Sequence, residues 1–381
     1  MSTPRSLDLP DQVRPVTIRS HRGRFAALEA RPATGVCERG PALLLPGFTG
    51  SKEDFIPVLQ PLASAGRRVV AVDMRGQYES DGAPGPDGYA PAGLAADVAA
   101  IAAAVADDSS SSSSDRQRPG MSRNTDRGTN QGVHLVGHSL GGLVAREAAL
   151  AGRTRMISLT LLGSGPGRIS GQRAELLRAM LALMDADGGT AGGGGPPSEE
   201  QLRVTVGKIW HDHLEPQARA DGVAAPVIAF LRRRMMGNSP TGLMAMGRYL
   251  LACPDRTAEL ARLGGPPILV LYGENDDAWR PTVQERMARR LGAHRVCLPG
   301  TGHSPAVEAP ETTASTLTAF WRSAEENERR ANGRHPGLAA PNGSGSPAAS
   351  SPAVSSPPAS PSPSHGRLGS EAALPSGQRA R

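Results

Sequence analysis

The sequence predicts an α/β protein: a mostly parallel central sheet flanked by helices, with a helical insertion and a disordered C-terminal tail. Three observations carry this. Short apolar runs between residues 42 and 298 are mostly continuous rather than alternating, the pattern of strands covered on both faces. Helix-forming stretches separate several of them, which implies parallel βαβ units. One long internal stretch and the C-terminal region break that alternation.

The first 40 residues hold two short alternating runs, Val16 to Arg19 and Arg24 to Glu29, split by His21-Arg22-Gly23. This pattern predicts an antiparallel hairpin at a sheet edge. The buried strands follow as Ala42 to Leu45, Arg68 to Val72, Val133 to Val136, Ile157 to Leu162, Ile268 to Tyr272 and Arg295 to Leu298. Helices are expected at the alanine-rich Gly93 to Ala106, at Leu143 to Leu150 and at Thr282 to Leu291. Asp107 to Gly132 contains six consecutive serines and almost no apolar residue, so a solvated, poorly ordered insertion is expected there. Pro166 to Leu263 is mainly helical, interrupted by the glycine-rich Gly188 to Pro197, and sits between two core strands. It is therefore expected as an insertion on the sheet's C-terminal edge. The organisation is then a core in two parts, 1–165 and 264–328, a helical cap or lid at 166–263, and a Pro/Ser-rich disordered tail at 329–381.

The formal net charge of +6 suggests an acidic partner, but its distribution argues otherwise. From Arg329 onward six arginines face one acid, Glu371, which leaves about +1 for the body. No nucleic-acid surface is expected from so small a balance. Cys37, Cys253 and Cys297 are few, odd in number and widely spaced, which suits a reducing compartment and gives no disulfide framework or CxxC metal site. The first 15 residues carry Pro, Asp and Arg where a signal peptide needs an apolar run. No stretch approaches the ~20 apolar residues of a membrane span. A cytoplasmic protein with no cofactor and no metal is expected. His211-Asp212-His213 offers two ligand types without a third partner, and reads as solvated residues.

The sharpest chemical signal is Gly137-His138-Ser139-Leu140-Gly141-Gly142, directly after the run Val133 to Val136 and before a helix. A G-x-S-x-G turn there bends strand into helix tightly, and its glycines relieve the crowding. The serine then stands at a helix N-terminus, where free N–H groups favour developing negative charge. The bland reading is a glycine-rich turn with an idle serine. The motif occurs once, at the strand–helix boundary the chemistry requires.

From about Pro15 to Trp321 the chain resembles the α/β-hydrolase superfamily, most weakly through the insertion. Leu43-Leu44-Leu45-Pro46-Gly47-Phe48 is similar to the family's strand and oxyanion loop. Val72-Asp73-Met74-Arg75-Gly76 with Ser80-Asp81-Gly82 is similar to its D-x-R-G-x-G-x-S stretch. The segment Ile268 to Asp276 resembles the strand and turn bearing the family's acid, and Gly300-Thr301-Gly302-His303-Ser304 its histidine loop. The order Ser, Asp, His matches as well. Two departures stand out: Pro46 where histidine is common, and Gln77-Tyr78 in place of a small, glycine-containing turn.

The resemblance implies a capped, esterase- or lipase-like serine hydrolase acting on a small, mostly apolar ester or related carbonyl substrate through an acyl-enzyme. Ser139 is the expected nucleophile and His303 the base that takes its proton. Asp276 is the expected orienting acid, with the adjacent Asp277 open as an alternative, while Glu274 reads as a structural turn acid. The resemblance assigns the oxyanion donors to the backbone N–H groups of Phe48 and Leu140. His138 and Trp279 are candidate pocket residues, although Trp279 reads equally well as packing beneath the cap. Met180, Met184, Met235, Met236, Met244 and Met246 give the cap a soft, apolar character, suited to an acyl or aromatic group or to a core. The same triad also serves C–C bond hydrolases, lactonases and cofactor-free haloperoxidases. A non-catalytic binding protein on this fold would be expected to lack a triad position.

Overall fold

The structure, a computed structural model, describes residues 2–36, 39–110, 132–189 and 197–332. All of them fall within one compact unit, Met1–His335. Eight strands form one sheet: β1 (Val13–Ser20), β2 (Gly23–Ala30), β3 (Arg39–Leu45), β4 (Arg67–Val72), β5 (Val133–His138), β6 (Met156–Leu162), β7 (Ile268–Gly273) and β8 (His294–Leu298). Their spatial order is β1-β2-β4-β3-β5-β6-β7-β8. The predicted hairpin is β1–β2, with β1 at the edge and β2 antiparallel to β4. From β4 to β8 every pairing is parallel.

Successive residues of the central strands alternate between two cores, as the strand period requires. Leu43, Leu45, Val70, Val72 and Leu135 enter one cluster with helices α2 (Pro91–Ser110) and α3 (Leu140–Leu150). Leu44, Val69, Ala71 and Val136 enter the other, against α1 (Ile56–Ser64) and the C-terminal helix. Both faces are covered, which is why these runs read as continuous apolar stretches.

Between β6 and β7 the chain forms α4 (Gln172–Gly189), α5 (Glu199–Ile209), a π-helical turn (Trp210–Leu214), α6 (Glu215–Ala220), α7 (Ala225–Gly237), α8 (Pro240–Ala252) and α9 (Thr257–Arg262). The remaining helices are α10 (Pro281–Leu291), α11 (Pro305–Glu308) and α12 (Pro310–Asn332). No described helix is long and apolar enough to cross a membrane. The thiols of Cys253 and Cys297 are free, one buried and one exposed.

Some boundaries differ from expectation. Helix α3 begins at Leu140 rather than Leu143, because Gly141 and Gly142 lie in close contacts that outweigh their poor helix propensity. Helix α2 continues to Ser110, where no glycine or proline stops it. Likewise α12 runs to Asn332, past residue 329 where the tail was expected to start. Residues 111–131 of the expected serine-rich insertion, Cys37, and the tail from 333 lie outside the described residues.

The inserted helices are tied to the sheet by a buried ion pair. Arg234 of α7 meets Asp54, in the turn after β3, at 2.7 Å, and also donates to the Ser2 carbonyl at 2.6 Å. Arg234→Met would leave Asp54 buried without its cation, at an expected cost of about 3–5 kcal/mol in urea unfolding. Arg234→Met with Asp54→Leu should lose clearly less. Equal losses would show that the pair is not what couples these elements.

Candidate active site

The crevice lies where the strand order reverses, at the carboxyl ends of β3 and β5. Open α/β sheets place ligands at such a switch point. Here β5 ends in His138, and Ser139 links it to α3 at φ 55° and ψ −120°. A non-glycine residue in that region is strained, and packing must impose it. The packing is severe. A Cβ on Gly137 would sit 2.2 Å from the Gly141 carbonyl oxygen, and one on Gly141 2.5 Å from that of Leu45. One on Gly142 would meet Ser164 Oγ at 2.4 Å. Ser164 itself donates to the Ser139 carbonyl at 2.8 Å.

The structure brings together Ser139, His303 and Asp276. His303 Nε2 lies 3.0 Å from Ser139 Oγ, and its Nδ1 lies 2.9 Å from Asp276 Oδ1. Asp277 turns the other way and pairs with Arg173 at 2.8 Å. Glu274 accepts from the Gly300 N–H at 2.9 Å, bracing the turn after β8. Asp276 also accepts from the Ala278 N–H at 2.9 Å, and from Gln284 Nε2 at 2.8 Å. Burial works to raise its pKa, but the bonds from His303, Ala278 and Gln284 outweigh burial and hold it below the ordinary value.

Several neighbours that sequence reasoning missed hold this arrangement. Gln284 is fully buried and donates to both Asp276 and the Trp279 carbonyl. Glu308 accepts from the Gly302 and Ser304 N–H groups and so grips both sides of His303. Their spacings carry no motif, since each acts by a contact that only the fold creates. His138, expected in the pocket, lines the cavity and also donates from Nε2 to the His303 carbonyl at 2.9 Å. Trp279 follows the second of its two readings. It is buried, donates to the Gly167 carbonyl at 2.9 Å, packs on Gly165, and is not among the cavity-lining residues.

Leu140 opens α3, so its N–H is one of those that a helix start leaves without an intrahelical acceptor. Phe48 follows Gly47, whose missing side chain lets the loop approach: a Cβ there would stand 3.0 Å from Ser139 Cβ. Pro46 does not disturb this geometry, because the groups involved are main-chain. Above Ser139 opens a cavity of about 660 Å³. Phe48, Ile169, Leu176, Met180, Leu214 and Met235 give it a largely apolar wall, with Gln172, Arg173 and His213 as polar points. Met184, Met244 and Met246 are core residues instead. No cluster of three metal-ligating side chains occurs among the described residues.

The alpha/beta hydrolase family model matches residues 42–316, most of the chain. The chain belongs to the alpha/beta hydrolase family. Among curated relatives it is 37% identical over 146 residues to "Putative carbamate hydrolase RutD" of Variovorax paradoxus, covering 38% of this chain and 46% of that one. It is 29% identical over 189 residues to a 2-succinyl-6-hydroxy-2,4-cyclohexadiene-1-carboxylate synthase of Salmonella schwarzengrund, covering 49% of this chain and 68% of the relative. The match thus spans less than half the length of the first relative and about two thirds of the second. A thermophilic esterase from Thermogutta terrifontis shares the fold at a TM-score of 0.57 and 23% identity, with 82% of this chain and 99% of that chain covered.

Two buried histidines give this alpha/beta hydrolase a pH signature. Burial, reinforced by the neighbouring His303, pushes His138 down to about 3. Burial likewise pushes His134 down to about 4, although Glu325 beside it works upward. The unfolded chain therefore binds more protons than the native one below the ordinary value of 6.5. Their contribution to stability is full above that pH and falls as pH drops toward 4 and 3. Each histidine contributes about 1.4 kcal/mol per pH unit in its window. Burial pushes Asp73 up to about 7, which works the opposite way over the same window, so the loss is read as a difference. Urea unfolding of the parent and of His134→Gln at pH 7, 6 and 5 should converge as pH falls, and parallel profiles would contradict it.

Proposed function

We propose that this protein is a serine hydrolase that cleaves a small, uncharged and mostly apolar carboxylic ester. The observation that carries the reading is the continuous hydrogen-bonded chain Ser139–His303–Asp276, at 3.0 and 2.9 Å, beneath a largely apolar cavity. A serine hydroxyl needs a neighbouring base to become a nucleophile, and the base needs an acid to fix its tautomer. Segment 166–263 then serves as the cap that walls the cavity. The single arginine of that wall, Arg173, is already neutralised by Asp277, which suits an uncharged substrate.

In this mechanism Ser139 Oγ attacks the carbonyl carbon while its proton passes to His303 Nε2. The carbonyl π pair moves onto oxygen, where the N–H groups of Phe48 and Leu140 receive the charge. Collapse of the tetrahedral species breaks the bond to the alkoxide, which leaves with the proton from His303. Water then gives a proton to His303 as it attacks the acyl carbon. Collapse of this second tetrahedral species breaks the bond to Ser139 Oγ, which takes the proton back from His303 as the acid leaves. Asp276 stays ionised throughout and stabilises the imidazolium, consistent with its lowered pKa.

A fluorophosphonate should place one adduct on Ser139, read by intact mass and peptide mapping, and none on Ser139→Ala. Asp276→Asn should lower kcat by ~10³–10⁴. Asp277→Asn should stay within about tenfold of the parent, since its partner is Arg173 rather than the imidazole. No adduct in folded protein would favour a ligand-binding protein on the same fold. Equal losses for the two aspartates would reassign the orienting acid.

A further inference from the structure

We infer that Gln77 is a positioning residue that holds the peptide between Gly47 and Phe48 in its oxyanion-binding orientation, a role that rests on the serine-hydrolase reading above. Gln77 is fully buried. Its Oε1 accepts from the Met74 N–H at 3.0 Å and its Nε2 donates to the Gly47 carbonyl at 2.8 Å. These two partners fix the amide uniquely, because the flipped group would oppose donor to donor and acceptor to acceptor.

The Gly47 carbonyl and the Phe48 N–H belong to one planar trans peptide and point in opposite directions. A bond that anchors the carbonyl on one side therefore aims the N–H to the other. It also polarises the peptide, making that N–H a stronger donor. The same peptide lies against the nucleophile, as the 3.0 Å approach of a Gly47 Cβ to Ser139 Cβ records. Downstream the loop is held by the same neighbour: the Lys52 N–H donates to Asp73 at 2.8 Å, and Lys52 Nζ pairs with Asp73 at 2.9 Å. The turn after β4 is thus a template for the turn after β3.

Backbone strain marks the same places. Among the described residues only Thr49, Tyr78 and Ser139 are non-glycine residues with positive φ, at 57°, 39° and 55°. One is the proposed nucleophile. The other two directly follow Phe48 and Gln77, so both turns depart from relaxed backbone where they meet. Such outliers persist where the surroundings over-determine them.

The test compares Gln77→Glu and Gln77→Leu with the parent and with Ser139→Ala. Glutamate keeps the shape and can still accept from Met74, but when ionised has no proton to give Gly47. Both variants are expected to lose about 10–100-fold in kcat with KM within about threefold, less than the ~10²–10³ for deleting a donor outright. Affinity for a trifluoromethyl ketone, whose tetrahedral adduct carries an oxyanion, should fall by the same factor as kcat/KM. The pH profile of kcat/KM should not move. A merely structural role would lower the melting temperature without this parallel loss of inhibitor affinity. The inference is overturned if both variants keep kcat and ketone affinity within about twofold, or if their losses come with a shifted pH profile. Full hydrolysis by Ser139→Ala would instead remove the underlying reading.

Discussion

The molecule is organised around one close approach, between the end of β5 and the start of α3. Three glycines let strand and helix backbones come nearer than any side chain permits, and Ser139 takes the strained conformation that this contact imposes. Much else has to be in register for that turn to survive. The β3 loop must pass over Gly141, whose missing Cβ faces the Leu45 and Pro46 carbonyls. Ser164, just past β6, must receive the Ser139 carbonyl. Strain of this kind costs about 1–3 kcal/mol, and the two apolar cores on either face of the sheet offset it. The reactive geometry is therefore a property of the sheet centre rather than of a loop.

Around that centre the side chains are held by pairs of contacts from opposite directions. Asp276 is met by His303, by the Ala278 amide and by Gln284. His303 is fixed at its ring by Asp276, at its carbonyl by His138, and at its flanking amides by Glu308. Positions defined this way leave little rotamer freedom to be lost on binding, which is the physical content of preorganisation. His138, pushed down to about 3 mainly by burial, adds no like charge beside His303 near neutral pH.

Legibility in the sequence followed the range of the interactions. The strands of the core and the serine turn were readable because their causes are local: apolar continuity, glycine at fixed offsets, and a run that ends at the chemistry. Asp276 was the expected partner of the imidazole, but the sequence left the adjacent Asp277 open. Both lie in the turn past β7, where no strand alternation fixes which of them turns inward. Gln77 was visible only as a departure from a familiar turn, since its meaning lies in a contact with Gly47, 30 positions away. Gln284 and Glu308 gave no signal, and the six helices between β6 and β7 showed their helicity but not their faces.

The two aspartates after β7 show how one register step divides labour. Asp276 turns inward to His303, while its neighbour turns outward to Arg173 at the start of α4. The outward pair joins the first helix of the insertion to the residue beside the proposed catalytic acid. That pair is half-exposed and worth little by itself; α4 is held chiefly by Ala174, Leu177, Leu181 and Met184, which lie in the apolar core. The buried Arg234–Asp54 pair adds a second tie, from α7 to the turn after β3. Also on α4, Leu176 and Leu183 stand exposed while lining the cavity, which gives it an apolar rim.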